Sequence, residues 1–254
     1  MFIDTHTHLF LNNFKKDIDH VIKNSIKSNV TKFLLPNIDS KTIDDMLNLT
    51  KKYPQICFPT IGIHPCSIKE NYKKELEIVE KEIKKNKYYA IGEIGIDLYW
   101  DKKYIKEQKE AFEAQINIAL KENLPIIIHI RNSFNEIFEI LEKTKNKNLK
   151  GVFHCFSGTY EQAKKAIKMG FKLGIGGVVT YKNSNLNEFL QNINLKNILL
   201  ETDSPYLSPE PYRGKRNDSS NIKIIAEKIA EIYKCDVNYI AEKTTENAEN
   251  LFKI

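Results

Sequence analysis

The sequence predicts an α/β fold, the (β/α)8 or TIM barrel, with a metal site at the C-terminal ends of its strands. Three observations lead to this prediction: apolar runs alternate with charged, amphipathic runs, the length of 254 residues is usual for such a barrel, and five of the six histidines follow apolar runs. An open, doubly wound sheet would give the same alternation, but the glycine fingerprint typical of its first strand is missing. Since no linker divides the sequence, we expect one domain over residues 1–254.

Eight apolar runs, each ending in polar or turn-forming residues, are the predicted strands. In chain order they are MFIDTHTH (1–8), KFLLPN (32–37), ICFPTIGIHP (56–65), YYAIGEIGID (88–97), PIIIHIR (125–131), KGVFHCFS (150–157), FKLGIGG (171–177) and KNILLETDSP (196–205). Because a charged stretch follows each run, consecutive strands are expected to be parallel and joined by helices.

These charged stretches carry apolar residues at helical spacing and are the predicted helices. In chain order they cover residues 16–29, 42–53, 74–86, 105–123, 135–145, 161–169, 186–193, 222–234 and 241–252.

Residues with metal-binding or acid–base chemistry are concentrated at the ends of the predicted strands. They are His6, His8, His64, Glu93, Asp97, His129, His154 and Asp203. In barrels of this class the active site lies at the C-terminal strand ends, so the sequence predicts that these side chains share one site. The remaining histidine, His20, lies within the first predicted helix and is expected to be solvated or to pack against a neighbour.

The first run supplies two histidines one residue apart. Residues i and i+2 of an extended segment point to the same side, so His6 and His8 would face one point together. Such a pair suits a divalent metal ion, although it can also arise by chance on a solvated edge. With the other strand ends, however, four imidazoles and two carboxylates exceed what one tetrahedral ion can use. Two ions sharing a carboxylate would use them all and would activate a water molecule near neutral pH.

The arginines carry more information than the total charge of the chain. The net charge is +6, but only three of the 39 basic residues are arginines, namely Arg131, Arg213 and Arg216. Lysine can replace arginine on a solvated surface, but not where a planar guanidinium must hold an oxyanion through two hydrogen bonds. Arginines kept near the predicted site therefore indicate an anionic substrate.

The sequence also gives expectations about location and thiols. No apolar stretch approaches the roughly 20 residues that cross a bilayer, and no basic leader precedes the first strand, so we expect a cytoplasmic protein without a membrane partner. The four cysteines form no CxxC pair and are expected to be reduced. Cys155 is predicted to pack into the barrel wall, because it and His154 would face opposite sides of a strand.

Seven motifs carry a resemblance to a known family: DTHTH, GIHP, GEIGID, IHIR, HCFSG, ETDSP and PYRGKRN. In their order and spacing, the chain resembles the TatD-type metal-dependent deoxyribonucleases, a branch of the amidohydrolase superfamily, over essentially its whole length. The resemblance implies two divalent ions per chain, Zn, Mn or Mg. One would be held by His6, His8, Glu93 and Asp203, and the other by Glu93, His129 and His154.

The resemblance also implies what the remaining site residues do. Asp203 would orient or deprotonate the attacking water, and Glu201 would support the site from behind. The scissile phosphate would be held by His64, Arg131 and Arg213. Two positions depart from the family pattern: Cys66 stands where a histidine is frequent, and Asp218–Ser219 replace a Glu-Pro pair, which leaves the shape of that loop open.

The implied function is a deoxyribonuclease that removes nucleotides from DNA ends in the 3′-to-5′ direction, with DNA as its substrate and no stable protein partner. An ester, lactone or amide hydrolase using the same metals is the main alternative, and the arginines argue against it. A catalytically silent nucleic-acid or metal-binding protein is a further alternative, which loss of Glu93 or Asp203 would have indicated.

For some residues near the motifs, the sequence leaves two roles open. Four aromatic residues could stack on bases or fill gaps between loops, and neither role is favoured: Tyr99, Trp100, Tyr206 and Tyr212. Similarly, Asp97 could cap the following loop, and Asp4 is expected to support the histidines rather than to bind metal.

Overall fold

Eight parallel strands form the centre of the computed structural model, which describes residues 1–100, 102–144 and 148–254. Their bounds are β1 (Phe2–Asp4), β2 (Val30–Pro36), β3 (Cys57–Thr60), β4 (Ile91–Asp97), β5 (Ile126–Arg131), β6 (Gly151–Phe153), β7 (Phe171–Ile175) and β8 (Ile198–Leu200). Seven of them lie within a predicted run, and β2 overlaps the second run but begins two residues before it, at Val30.

The strands close into a ring in chain order. β1, β2 and β3 pair in sequence, as do β4 to β8, and every pairing is parallel. Ile61, just beyond β3, bridges to Ile91 of β4, and Thr7, just beyond β1, bridges to Ser204 beyond β8. These two bridges join the sheets at both seams. The chain is therefore a TIM barrel as predicted, and the open-sheet alternative is wrong.

Helices follow the strands and cover the outside of the barrel. They are α1 (Ile18–Lys27), α2 (Ile43–Lys52), α3 (Tyr72–Glu82), α4 (Ile105–Glu122), α5 (Phe134–Thr144), α6 (Tyr160–Lys168), α7 (Leu186–Phe189), α8 (Ile222–Tyr233) and α9 (Val237–Phe252). The fifth helix was predicted to reach residue 145, which lies outside the described residues. Of the helices in the described ranges, none combines the length and the apolar character needed to span a membrane.

The last helix determines which end of the barrel is open. Along β5, Ile126 and Ile128 belong to the large apolar core, whereas Ile127 belongs to a smaller cluster. That cluster also contains Val152 of β6 and Leu199 of β8, together with Leu251 and Phe252 of α9. Alternating residues of a strand face opposite sides, so the smaller cluster is the barrel interior and α9 closes its N-terminal end. The C-terminal end remains for a site.

Several strands end earlier than predicted, so His6, His8, His64 and His154 lie in the loops that follow them, whereas His129 lies within β5. β1 ends at Asp4, before His6 and His8, and β6 ends at Phe153. Cys155 and Asp203, just beyond β6 and β8, have φ values of 44° and 58°, which no extended strand permits. The backbone therefore leaves the strand direction at once at these two positions.

Candidate metal centre

The six side chains predicted to bind metal converge at the C-terminal mouth of the barrel. Three overlapping groups have donor atoms that lie within 4.8 Å of one another. The groups are His6, His8 and Asp203; His6, Glu93 and His154; and His64, Glu93 and His129. Loops or strand ends of β1, β3, β4, β5, β6 and β8 supply these residues, so only the closed barrel brings them together.

Glu93 lies at the centre of the cluster, with a side chain that is 3% exposed. Its Oε2 atom is 3.0 Å from His6 Nε2 and 3.6 Å from His8 Nε2. Its Oε1 atom is 2.7 Å from His129 Nδ1 and 3.7 Å from His154 Nε2. The two oxygens of one carboxylate thus face two different sets of imidazoles, as a bridging ligand requires.

Groups behind the rings determine which nitrogen faces the centre. His8 Nδ1 lies 3.0 Å from the Pro36 carbonyl oxygen, which can only accept a hydrogen bond. His8 therefore carries its hydrogen on Nδ1 and presents the Nε2 lone pair to the site. Carboxylates do the same for two further rings: Asp97 Oδ2 is 2.9 Å from His129 Nε2, and Glu201 Oε1 is 2.8 Å from His154 Nδ1. Such pairs are typical of metal-binding histidines.

The donor set fits divalent cations. The inward nitrogens of His8, His129 and His154 can each offer a lone pair to a metal ion, because an acceptor holds the other nitrogen of the ring. The atoms opposite them are carboxylate oxygens or other imidazole nitrogens; His6 Nε2 and His8 Nε2, for example, are 3.3 Å apart. Nitrogen and oxygen donors that converge at this depth can hold a metal ion. Imidazole and carboxylate ligands suit zinc or manganese, and the shared position of Glu93 suits two ions.

Electrostatics make the cluster attractive to positive charge. Burial raises the pKa of a carboxyl group, yet His64, His6 and His154 hold the pKa of Glu93 well below its usual range. Burial by itself would lower the pKa of His154, but the Glu201 and Glu93 carboxylates raise it to about 10. The carboxylates that draw a proton to these rings would equally draw a metal ion.

His64, which the resemblance assigns to the substrate phosphate, lies next to two predicted metal ligands. Its Nε2 atom is 3.2 Å from His129 Nδ1 and 3.4 Å from Glu93 Oε1. Its Nδ1 atom accepts a hydrogen bond from the backbone N–H of Cys66 at 3.1 Å. His64 can therefore contact either an ion beside Glu93 or a substrate that approaches that ion.

The three arginines lie in different surroundings. Arg131 lines the cavity above the metal cluster, with its guanidinium carbon 3.8 Å from the Tyr99 ring centre. Arg213 lies on the exposed loop after β8, 4.4 Å above the Tyr181 ring, and is not among the described residues that line this cavity. Its assignment to the phosphate stays a prediction. Arg216 forms an ion pair with Asp17 at 2.6 Å and is engaged in holding loops together.

The cavity has a volume of about 670 Å³. Glu93 and Asp203 line its floor, and Trp100, Tyr206 and Leu207 line its upper part. Cavities of this size hold small organic ligands. The floor therefore places reactive groups within reach of a molecule held by the walls.

Cys155 corrects a prediction from the sequence. It lines the cavity instead of packing into the barrel wall. The prediction assumed that strand β6 continues past His154, whereas the strand has already ended and Cys155 adopts a positive φ. Alternation of neighbouring residues does not hold there.

Asp97 and Glu201 support the ligands from behind. The sequence left Asp97 as a capping residue, and it does accept hydrogen bonds from the backbone N–H groups of Tyr99 and Trp100, but its other oxygen holds His129. The position of Glu201 requires a glycine on the neighbouring strand. A Cβ atom at Gly174 would lie 2.1 Å from Glu201 Oε2, so the glycine of β7 makes room for the carboxylate behind His154.

Asp4 is placed as expected for a supporting residue. It is fully buried, and its Oδ2 atom accepts a hydrogen bond from the Thr202 hydroxyl at 2.6 Å. Its Oδ1 atom accepts from the backbone N–H of Thr202 at 2.9 Å and of His6 at 3.3 Å. Asp4 thereby joins the loops after β1 and β8 beneath the metal ligands.

Comparison with known proteins gives matches along the whole chain. The family model described as TatD related DNase matches residues 3–253. The protein named "Uncharacterized metal-dependent hydrolase YabD" of Bacillus subtilis is 38% identical over 255 residues, covering 100% of both chains. The similarly named YcfH of Escherichia coli is 30% identical over 256 residues, covering 99% of this chain and 96% of that protein. The crystal structure of YjjV, a TatD homolog from Escherichia coli, has a TM-score of 0.94 at 26% identity and covers 100% of this chain and 98% of that one.

Proposed function

This chain belongs to the TatD-related DNase family, and on that premise we propose that it hydrolyses the phosphodiester bonds of DNA, starting from strand ends. It is a metal-dependent hydrolase, the description that YabD and YcfH carry. The choice of DNA as the substrate goes further and depends on the chemistry of the site.

The position of Glu93 is the observation that best supports a phosphodiester substrate. Its Oε2 atom faces His6 and its Oε1 atom faces His129, at 3.0 and 2.7 Å. This arrangement suits two adjacent ions, which are frequent in enzymes that displace an oxygen from phosphorus. Divalent ions held there would polarise a phosphoryl oxygen and make nearby water more acidic.

Asp203 is the residue that we propose to accept the proton of the attacking water. Its side chain is 14% exposed at the cavity floor, whereas that of Glu93 is 3% exposed. Burial opposes its ionisation, but His8 and His154 hold the pKa of Asp203 below its usual range. It is therefore a carboxylate at neutral pH, and a carboxylate open to the cavity can orient water and take up its proton.

Arg131 and His64 are placed to hold the phosphate itself. Arg131 lies on the cavity wall above the metal ligands, and its guanidinium offers paired donors that match two phosphoryl oxygens. His64 lines the same cavity next to Glu93. A neutral acyl substrate would give such a cationic group nothing to hold, which favours a phosphodiester over an ester or lactone. The 3′-to-5′ direction is carried over from the family resemblance.

A nuclease assay tests this proposal. The metal-loaded protein is incubated with single- and double-stranded DNA labelled at the 5′ end, in zinc, manganese or magnesium, and with a neutral ester and a lactone. We expect products that shorten progressively from the 3′ end. Glu93→Gln should abolish shortening, whereas Glu161→Gln, on the exposed face of α6, should cleave like the parent. Hydrolysis of the ester or lactone without cleavage of DNA would contradict the proposal.

A further inference from the structure

Four large apolar side chains are exposed near the mouth of the metal cavity, which is unusual for groups of this size. The exposed fractions are 54% for Tyr99, 70% for Trp100, 51% for Tyr206 and 38% for Leu207. Trp100, Tyr206 and Leu207 line the same cavity as Glu93. The exposed apolar surface is thus continuous with the lining of the candidate metal site.

Trp100 is presented by a loop that is tied to the metal centre. Asp97 Oδ1 accepts hydrogen bonds from the backbone N–H of Tyr99 at 2.9 Å and of Trp100 at 3.3 Å. Asp97 Oδ2 is 2.9 Å from His129 Nε2. One carboxylate therefore fixes both a predicted metal ligand and the backbone beneath the indole ring.

Arg131 adds positive charge to this side of the cavity. Its guanidinium carbon is 3.8 Å from the Tyr99 ring centre and 5.3 Å from the Trp100 ring centre. The Tyr99 and Trp100 rings meet edge to face at 5.0 Å. Aromatic faces beside a guanidinium form the usual surface for nucleic-acid strands, because bases stack on the rings and the cation attracts phosphate.

Tyr206 lies on the other side of the cavity and is also held in place. The Asn217 side chain donates a hydrogen bond to the Tyr206 carbonyl oxygen at 2.7 Å, and Tyr206 N–H donates to the Asp203 carbonyl oxygen at 2.8 Å. The next residue, Leu207, packs its carbonyl oxygen against Gly177, where a Cβ would lie 2.1 Å away. The ring is therefore presented by an anchored segment next to the proposed catalytic carboxylate.

We propose that Trp100 and Tyr206 are two stacking surfaces for nucleobases adjacent to the scissile phosphodiester, with Arg131 contacting the phosphate between them. This inference rests on the proposed function and names the residues that recognise the substrate. Because every base has a π-face, such surfaces bind strand ends with little regard to sequence. The aromatic residues, whose role the sequence left open, are thereby assigned to the substrate.

Trp100 is the only tryptophan of the chain, so its fluorescence reports on this surface directly. The metal-loaded protein is titrated with a short single strand whose terminal linkages are phosphorothioates, which slow cleavage, and with the same strand carrying abasic sugars at its 3′ end. Binding of both is followed independently by the anisotropy of a dye at the 5′ end. We expect strong quenching of the tryptophan by the base-bearing strand and little by the abasic one. Equal quenching, binding without quenching, or no binding of either strand would overturn the stacking proposal.

Kinetics with substituted proteins test the same residues. Trp100→Ala should lower kcat/KM on normal 3′ ends by about 5- to 150-fold, the range that removal of one stacked aromatic gives, and should change cleavage of abasic ends much less. Trp100→Phe should retain most of the activity. Tyr239→Ala, an exposed aromatic on α9 away from the mouth, is the matched control and should behave like the parent.

The outcomes separate the two proposals. A parent protein that binds and is quenched by base-bearing strands but cleaves none of them would contradict the proposed function and keep the stacking surface. Equal losses on normal and abasic ends in Trp100→Ala would indicate a structural role and overturn stacking, while the nuclease assignment stands. If Trp100→Ala lowers kcat/KM only on a neutral ester, the surface binds an acyl substrate. That result would overturn both the stacking proposal and the proposed function.

Discussion

The orientation of three of the predicted metal-binding histidines, His8, His129 and His154, is set by the group behind each ring. Asp97 holds His129 through Nε2, and Glu201 faces His154 Nδ1, so the two rings present different nitrogens to the same carboxylate. Because Glu93 receives contacts on both oxygens, it is the residue whose loss should disturb both halves of the site.

Glu93→Gln tests the bridging role. The amide keeps the size of the side chain but removes one shared anionic ligand, so occupancy of both ions should fall together, with activity. Metal content per chain after dialysis, measured by elemental analysis, checks this, and Glu161→Gln provides the comparison. Two fully occupied ions in Glu93→Gln would show that the carboxylate is not shared.

Arg131→Lys and Arg213→Lys form a matched pair, because each keeps the charge and removes the planar fork. Arg131 lines the cavity, and Arg213 stacks on Tyr181 outside its lining. We expect Arg131→Lys to lower kcat/KM on DNA roughly ten- to hundredfold, corresponding to about 1.5–3 kcal/mol for one charged hydrogen-bonding partner. Arg213→Lys should have a smaller effect, and metal content should be unchanged in both. A larger loss in Arg213→Lys would place the phosphate near the β8 loop instead.

At the scale of elements, the loops after β1 and β8 are joined to each other and carry three of the six predicted metal ligands, His6, His8 and Asp203. Arg216, in the loop after β8, donates hydrogen bonds to both carboxylate oxygens of Asp17, at 3.0 and 2.6 Å, and to the Asn13 carbonyl oxygen. Asn217 donates to the Thr202 carbonyl oxygen at 2.9 Å. The Arg216 contacts fasten the segment after β8 to the segment after β1, and the Asn217 bond holds the β8 loop next to Asp203.

The Asp17–Arg216 pair should give a small, pH-dependent contribution to stability. The hydrogen bonds from Arg216 lower the pKa of Asp17 below its ordinary value. The contribution is therefore present above the unfolded-state pKa near about 4 and is lost as the pH falls through the lower folded-state pKa. Since both side chains are 38% exposed, Asp17→Asn should reduce the free energy of unfolding at pH 7 by less than about 1 kcal/mol. Urea unfolding checks this, and a difference from the parent that grows toward acidic pH would contradict it.

The order of elements could be predicted from the sequence, whereas their exact ends could not. Alternation of apolar and amphipathic runs depends on local residue type, so every strand and helix was found in its place. The ends of β1, β6 and β8 depend on where the backbone leaves the sheet, which is set by contacts between loops distant in sequence. Cys155 illustrates this, since its φ of 44° reverses the direction that strand alternation predicts. The sequence could place the candidate ligands at the strand ends, but it could not show that Arg131 lines the cavity whereas Arg213 is not among the described lining residues, or that Tyr206 lines it whereas Tyr212 does not appear among them.

For the whole molecule, the candidate metal centre brings together residues from 6 to 203 of the chain. The barrel seam between β1 and β8 is held by few backbone bonds, among them Thr5 N–H to the Leu200 carbonyl oxygen at 3.0 Å and Asp203 N–H to the His6 carbonyl oxygen at 2.9 Å. Ligands on both sides of that seam would be joined by a bound ion. Without an ion, the imidazoles and carboxylates of the cluster would remain close together at low exposure, which would cost stability.

Metal binding should therefore stabilise the entire fold. A ligand that binds only the folded state adds about 2.7 kcal/mol at a concentration of 100 Kd, and each kcal/mol shifts Tm by roughly 2–4 °C for a chain of this size. We expect zinc or manganese at that concentration to raise Tm by about 5–11 °C over the chelator-treated protein, as measured by calorimetry. The shift should be smaller in Glu93→Gln, because a ligand shared by both ions is lost, and unchanged in Glu161→Gln. An identical Tm with and without metal in the parent protein would mean that the converging side chains do not hold an ion in the folded state.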